Sequence, residues 1–176
     1  MANTYQLIES KTLSSAVATV TFTSIPSTYI DLQLLISSKA TENGQSTNYW
    51  IQFNSDTGAN YTNKRLYSGG ASAASDNGNT SLNGISAGFI PGDIASTTST
   101  FSNCSVYIPN YAGNKNKCVS CDSIADSNDS TGLYANLTGG LWSNTAAITS
   151  LTIAITGSGQ TQMVNSTFYL YGIKNS

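Results

Sequence analysis

Two cysteines close the stretch IPNYAGNKNKCVSC, Cys118 and Cys121, and Asp122 follows at once. Cys-x-x-Cys is the spacing of a zinc knuckle or a thioredoxin-like redox pair, and two thiolates with a carboxylate could hold a metal. A redox pair, however, has to open a helix, whose dipole lowers the thiol pKa. No helical spacing follows Cys121. The flanking residues read as strand, loop, strand, and on a strand positions 118 and 121 point to opposite faces. Cys121 then shares a face with Val119, and Cys118 shares one with Ser120 and Asp122. Two thiolates on opposite faces cannot hold one metal, so neither a metal nor a 118–121 disulfide is expected. Cys104 keeps step with Val106 and Ile108 and reads as a small core residue.

The other chemical candidates weaken in the same way. The chain has no His, which removes Ser-His-Asp and Cys-His nucleophilic sites and the usual His-containing zinc sites. A glycosidase needs two acids about 5–9.5 Å apart. The acids here are scattered, and only Asp122, Asp126 and Asp129 lie near one another. Their run, DSIADSNDSTG, has Thr131 where a calcium loop needs glycine and lacks the closing Glu, so a solvated turn is the expectation. The triplet DTG, 56–58, is that of aspartic proteases, which pair two such carboxylates. Its flanks, FNS and ANY, are those of a polar hairpin turn. No catalytic, cofactor-binding or metal-binding residue is therefore expected, and no enzymatic activity.

Charge narrows the partners. Lys and Arg number 7 against 9 Asp and Glu, and charged residues make up only 9% of the chain. Nucleic-acid binders need clustered cations to displace counterions from phosphates. Lys64–Arg65 and Lys115 with Lys117 are the nearest approach, and both pairs are expected in solvated loops. No apolar run is long enough for a membrane helix. The start, MANTYQLIESK, lacks a signal peptide's basic and apolar regions, which predicts cytosolic folding, reduced thiols and unglycosylated sequons. One question stays open. Tyr29, Tyr49, Trp50, Tyr61, Tyr67, Tyr107, Tyr111, Tyr134, Trp142, Tyr169 and Tyr171 could line a sugar-binding face, a subunit interface or the core.

The elements that must carry these residues are strands. Period-two alternation marks 5–11, 17–23, 29–37, 48–54, 64–67, 82–90, 100–109, 117–124, 133–142, 147–156 and 167–173. Helical spacing is nowhere sustained, with short candidates only at 144–149 and in the Ala-rich part of the stretch after Tyr67. Many short strands with regular turns predict an all-β fold: a single antiparallel β-sandwich over 1–176, jelly-roll-like, of about 8–10 strands. The run SGGASAASDNGNTS, 68–81, offers little apolar area and is expected to be a mobile surface loop.

Six segments carry a resemblance: FTSIPSTYIDLQL (22–34), IQFNSDTGANYTNKRLY (51–67), GFIPG (88–92), VYIPNYAGNKNK (106–117), GLWSNTAAITSLTI (140–153) and FYLYGIK (168–174). Together, in order and over nearly the whole length, they resemble a family of tailed-phage virion structural proteins of aquatic-bacteria phages. The resemblance implies a β-sandwich building block without enzymatic residues, located in the virion and assembled in the host bacterial cytoplasm. Cys118 and Cys121 depart from it, standing where small or apolar residues are expected. A compact, charge-poor block fits a capsid decoration or cement protein, a homotrimer seated on the major capsid protein. The alternative is a tail-fibre or receptor-binding tip that grips host surface glycans. The strand reading of 117–124 also carries a direct test: Cys118→Ser should shift unfolding free energy by no more than about 0.5 kcal/mol in a denaturant titration.

Overall fold

A computed structural model describes residues 4–41, 46–69, 72–76, 79–93, 100–126, 133–157 and 159–174. Its strands are β1 (Tyr5–Thr12), β2 (Thr19–Phe22), β3 (Asp31–Ser37), β4 (Ser46–Phe53), β5 (Tyr61–Gly69), β6 (Ser72–Ser75), β7 (Asn79–Leu82), β8 (Ile85–Pro91), β9 (Asn103–Ile108), β10 (Lys117–Asp126), β11 (Leu133–Trp142), β12 (Leu151–Ile155) and β13 (Thr167–Ile173). No helix occurs among the described residues. The short candidate at 144–149 is a turn, in which Ala146 N–H donates to Asn144 Oδ1 at 2.9 Å.

The pairing is nested. β1 pairs with β13, β2 with β12, β3 with β9 and β4 with β8, all antiparallel. One sheet therefore runs β1-β13-β3-β9 and the other β2-β12-β4-β8. These are the two interleaved orders of a jelly roll, in which each of the eight strands is followed by one in the other sheet except β4, which is followed by its neighbour β8. The fold is an antiparallel β-sandwich, as the alternation predicts. Two insertions extend it. β5, β6 and β7 lie between β4 and β8, while β10 and β11 lie between β9 and β12. The insertions find each other: β10 adds to β9, β11 to β10, and β5 to β11, so the first sheet continues through β10-β11-β5-β6.

Alternation explains the core. Leu32, Leu34, Val106, Ile108, Phe168 and Leu170 project inward from the large sheet. Phe22, Ile51, Phe53, Leu151 and Ile153 meet them from the small one. β10 reads buried and exposed in strict turn, with Cys121 inside and Cys118 outside, the opposite-face arrangement its sequence implies. Cys104 is fully buried, as its step with Val106 suggests.

Two expectations need correction. Among the described residues, thirteen strands replace the expected 8–10, because the insertions add five to the jelly roll's eight. And 68–81, expected to be a mobile surface loop, is largely ladder at its described residues: β5 runs to Gly69, and both β6 and β7 pair with β5. The cause is local. β6 is exposed at all four positions, so its Ser and Ala residues meet no core and leave no apolar alternation. Backbone hydrogen bonds to β5 hold it instead.

β8 is the strand most tightly engaged, buried at every position. Its pairing with β4 slips between Tyr49 and Trp50, leaving Ala87 as a bulge, and Gly88 follows at φ +133°. That φ is open to glycine and strained for other residues. A Cβ on Gly88 would also land on Ser123 Oγ, which accepts the Phe89 N–H at 3.1 Å. Gly88→Ala is expected to cost about 1–3 kcal/mol or more in denaturant unfolding. Gly139→Ala, where a Cβ meets nothing within 4 Å, should stay within about 0.5 kcal/mol.

Candidate functional site

The Asp56 turn is filled by the protein itself. Its carboxylate accepts Trp142 Nε1–H at 2.7 Å, the Gly58 N–H at 2.9 Å and Asn60 Nδ2 at 2.9 and 3.1 Å. Trp142 is wholly buried against Phe53 and Tyr61. The Tyr61 hydroxyl accepts Phe53 N–H at 3.0 Å and donates to the Asp56 carbonyl at 3.1 Å, and burial pushes its pKa up to about 12. The indole N–H, with the Asn60 and Gly58 donors, holds the Asp56 carboxyl below its ordinary value. With its oxygens engaged in this turn, the carboxylate acts as a clamp between turn and core.

The other candidates also separate. Asp122 and Asp126 both face outward from β10, while Asp129 lies outside the described residues. No cluster of three metal-ligating side chains occurs among the described residues. Burial raises the Cys104 and Cys121 thiols well above their ordinary pKa, which disfavours the reactive thiolate.

The two cation pairs expected in solvated loops are placed differently. Lys64 is exposed on β5, but Arg65 turns inward. Lys117 is 1% exposed, and its ammonium donates to the carbonyls of Gly113, Lys115 and Thr145. Burial lowers its pKa. It cages the turn before β10 from within, where a strand's inward phase carries it.

Arg65 anchors a cleft that joins aromatic and polar side chains. Its Nε meets Asp76 Oδ2 at 2.5 Å, and its Nη1 donates to Asn48 Oδ1 and Ser86 Oγ, each at 3.1 Å. The guanidinium lies over the rings of Tyr67 and Phe89, 5.2 and 5.9 Å from their centroids. Beside it opens a chamber of about 160 Å³ lined by Asn48, Trp50, Asn63, Leu82 and Thr156. A second chamber, about 310 Å³, lies beyond Trp50 and is lined by Asn83, Ala154 and Gly157. Trp50 and Thr156 belong to both. The indole rests against Gly84, where any Cβ would overlap its pyrrole ring.

Of the aromatic residues that could have lined a sugar face, Tyr49, Tyr61, Tyr111 and Trp142 are core. Tyr67 and Tyr134 pack on Phe89. Trp50 walls the two-chambered cleft, while Tyr67 also lines an open groove on the large sheet. The signal was present in NYWIQF, since adjacent Tyr49 and Trp50 cannot both face the core of a strand.

A second surface is apolar. On the outer face of the insertions, Leu66 pairs directly with Leu137, and Ile124 with Ala135. Leu66, Ile124, Leu133 and Leu137 are 57, 53, 48 and 54% exposed. An open groove of about 540 Å³ runs between Leu66, Ile124, Leu137 and Ala73, with Tyr67 and Asp122 also in its walls.

No family model and no curated protein matches the chain. Among solved structures it is similar to HCR/D-Sa-GBL1/C at 9% identity and a TM-score of 0.38, covering 98% of this chain and 44% of that one. The chain thus spans less than half of that protein, and at this score the overlay carries no inference.

The Asp56 clamp yields a test with a defined sign. Asp56→Ala leaves a buried indole N–H without its acceptor and should cost about 1–3 kcal/mol. A carboxyl held below its ordinary 3.8 contributes stability above that pH, and the contribution fades as pH falls through the folded value. Unfolding free energy followed from pH 7 downward should therefore lose a component near and below pH 4 that Asp56→Asn lacks.

Proposed function

We propose that the chain is a structural protein of a tailed-phage virion, a capsid decoration or cement protein that binds the major capsid lattice as a homotrimer. The carrying observation is the apolar outer face of β5, β11 and β10. Four large aliphatic side chains stand about half exposed there, two of them directly paired across strands. Contiguous exposed apolar patches of this kind are uncommon on solitary soluble proteins and mark contact surfaces. The segments that resemble virion proteins include the part of β5 that carries Leu66. A three-fold block suits the local three-fold junctions of an icosahedral shell, since oligomers usually close by cyclic symmetry.

A second reading is a tail-fibre or receptor-binding tip that grips host surface glycans, and the Trp50 cleft favours it. Copy number separates the two: hundreds per particle for decoration, a few to tens for a tip.

Docking through an apolar face should be insensitive to screening. Purified particles washed in about 1 M NaCl, where the Debye length falls to ~3 Å, should keep their copies of the chain. Leu66→Asp with Leu137→Asp, both on the outer face, should preserve the thermal midpoint within a few degrees and lower particle occupancy at least about tenfold. Salt-induced loss of most copies, or undiminished occupancy of the double variant, would count against this docking face.

A further inference from the structure

The cleft around Trp50 has a chemistry distinct from the apolar groove on the opposite sheet. Its walls mix one aromatic ring with amides and hydroxyls: Asn48, Asn63, Asn83, Ser86 and Thr156. The single cation at its edge, Arg65, is neutralised by Asp76 at 2.5 Å. A phosphate or sulfate would therefore meet no uncompensated positive charge. The larger chamber, at 310 Å³, reaches the size range of small-molecule sites, about 300–1,000 Å³.

Two features mark the site as built rather than incidental. Asn63 is 3% exposed, and its Nδ2 donor has no hydrogen-bond partner, although its Oδ1 accepts the Ser86 N–H at 3.4 Å. Native proteins leave few buried polar atoms unpaired. Trp50, in turn, is held from one side by Gly84 and points between the chambers without being absorbed into the core. An aromatic wall offers a flat apolar face, and amides and hydroxyls offer both donors and acceptors. That combination matches a molecule with an apolar C–H face and a rim of neutral hydroxyls.

We propose that this two-chambered cleft binds a neutral saccharide, one sugar ring lying on the Trp50 indole with its hydroxyls reaching Asn83 and Thr156. The site names a ligand for the glycan-gripping reading, yet it holds equally for a decoration protein, because it does not involve the apolar face. Sugar binding by the isolated chain and occupancy on particles can fail independently.

The test uses the intact chain and a panel of glucose, galactose, mannose and N-acetylglucosamine with their β-linked disaccharides. The chain has 2 Trp, and Trp142 is wholly buried, so a ligand-induced change in indole emission reports Trp50. At least one neutral sugar should give a saturable change. By saturation-transfer NMR, Trp50→Ala should weaken that binding at least about tenfold, and Trp50→Phe, which keeps a ring, by less. Both variants should retain the thermal midpoint within a few degrees, as expected for an outward-facing residue. The proposal is overturned if no panel member gives a saturable response. It is equally overturned if Trp50→Ala binds undiminished, or if inorganic sulfate binds and the neutral sugars do not.

Discussion

The unpaired edge of β8 is the constraint around which the molecule is arranged. β8 closes the small sheet, so only β4 can pair with it, yet every residue of β8 is buried. A buried strand edge without partners would strand backbone groups at about 1–3 kcal/mol each. Side chains of the facing sheet resolve this. Asn63 Oδ1 accepts the Ser86 N–H, Ser123 Oγ accepts the Phe89 N–H, and Cys104 Sγ donates to the Ala87 carbonyl at 3.7 Å. Two of the three come from the inserted β5 and β10 and the third from β9 of the jelly roll, so the insertions that lengthen the large sheet also help to finish the small one.

This accounts for one group of the buried polar residues. Asn63, Ser123, Asn136 and Thr138 are all at most 5% exposed and all belong to the inserted strands. Asn136 Nδ2 donates to Thr138 Oγ1 at 2.9 Å, so part of the set is satisfied within itself. The glycines follow the same logic. Gly88 brings the β8 backbone close to Ser123, and Gly140 makes room for Ile85, since side chains at either point would push the sheets apart. The jelly-roll half of the core packs mainly aliphatic and aromatic side chains, with a smaller buried polar set in which Ser102 Oγ donates to the Ser38 carbonyl at 2.9 Å.

Legibility in the sequence divides along the same line. β11 and β13 coincide with their alternating segments, and the inward Cys121 and outward Cys118 follow from period two alone. The antiparallel sandwich is equally visible, because its strands carry Val, Ile, Leu and Phe on one face. β6 was not legible, as four exposed Ser and Ala residues carry no pattern and only pairing with β5 makes them a strand. The burial of Lys117 and the partial burial of Arg65 were hidden for another reason. A charge on the inward phase is read as solvated until the carbonyls or carboxylate that receive it are known, and here Gly113, Thr145 and Asp76 come from outside their strands. The Trp50 cleft lay between these cases: its aromatic could be assigned an outward phase, but its companions come from β5, β7 and β8.

The low charge content then takes on a structural meaning. Arg65 and Lys117 are spent inside, one on Asp76 and one on backbone carbonyls, and Lys39, 2% exposed, pairs with Asp93 at 2.7 Å. Three of the 7 basic residues therefore stitch connections instead of coating the surface. What remains outside is divided by sheet. The outward faces of β2, β4 and β12 carry Thr, Asn, Gln and one indole, with Thr21 and Thr152 hydrogen-bonded across strands at 3.0 Å. The outward face of the insertions carries large aliphatic side chains, bordered by Lys64, Asp122 and Asp126. A sandwich extended on one side only gains a second kind of surface without disturbing the first, because the two faces point away from a common core. An apolar contact on one face and polar recognition on the other can thus coexist in one block, each set by the side chains that period-two alternation leaves outside.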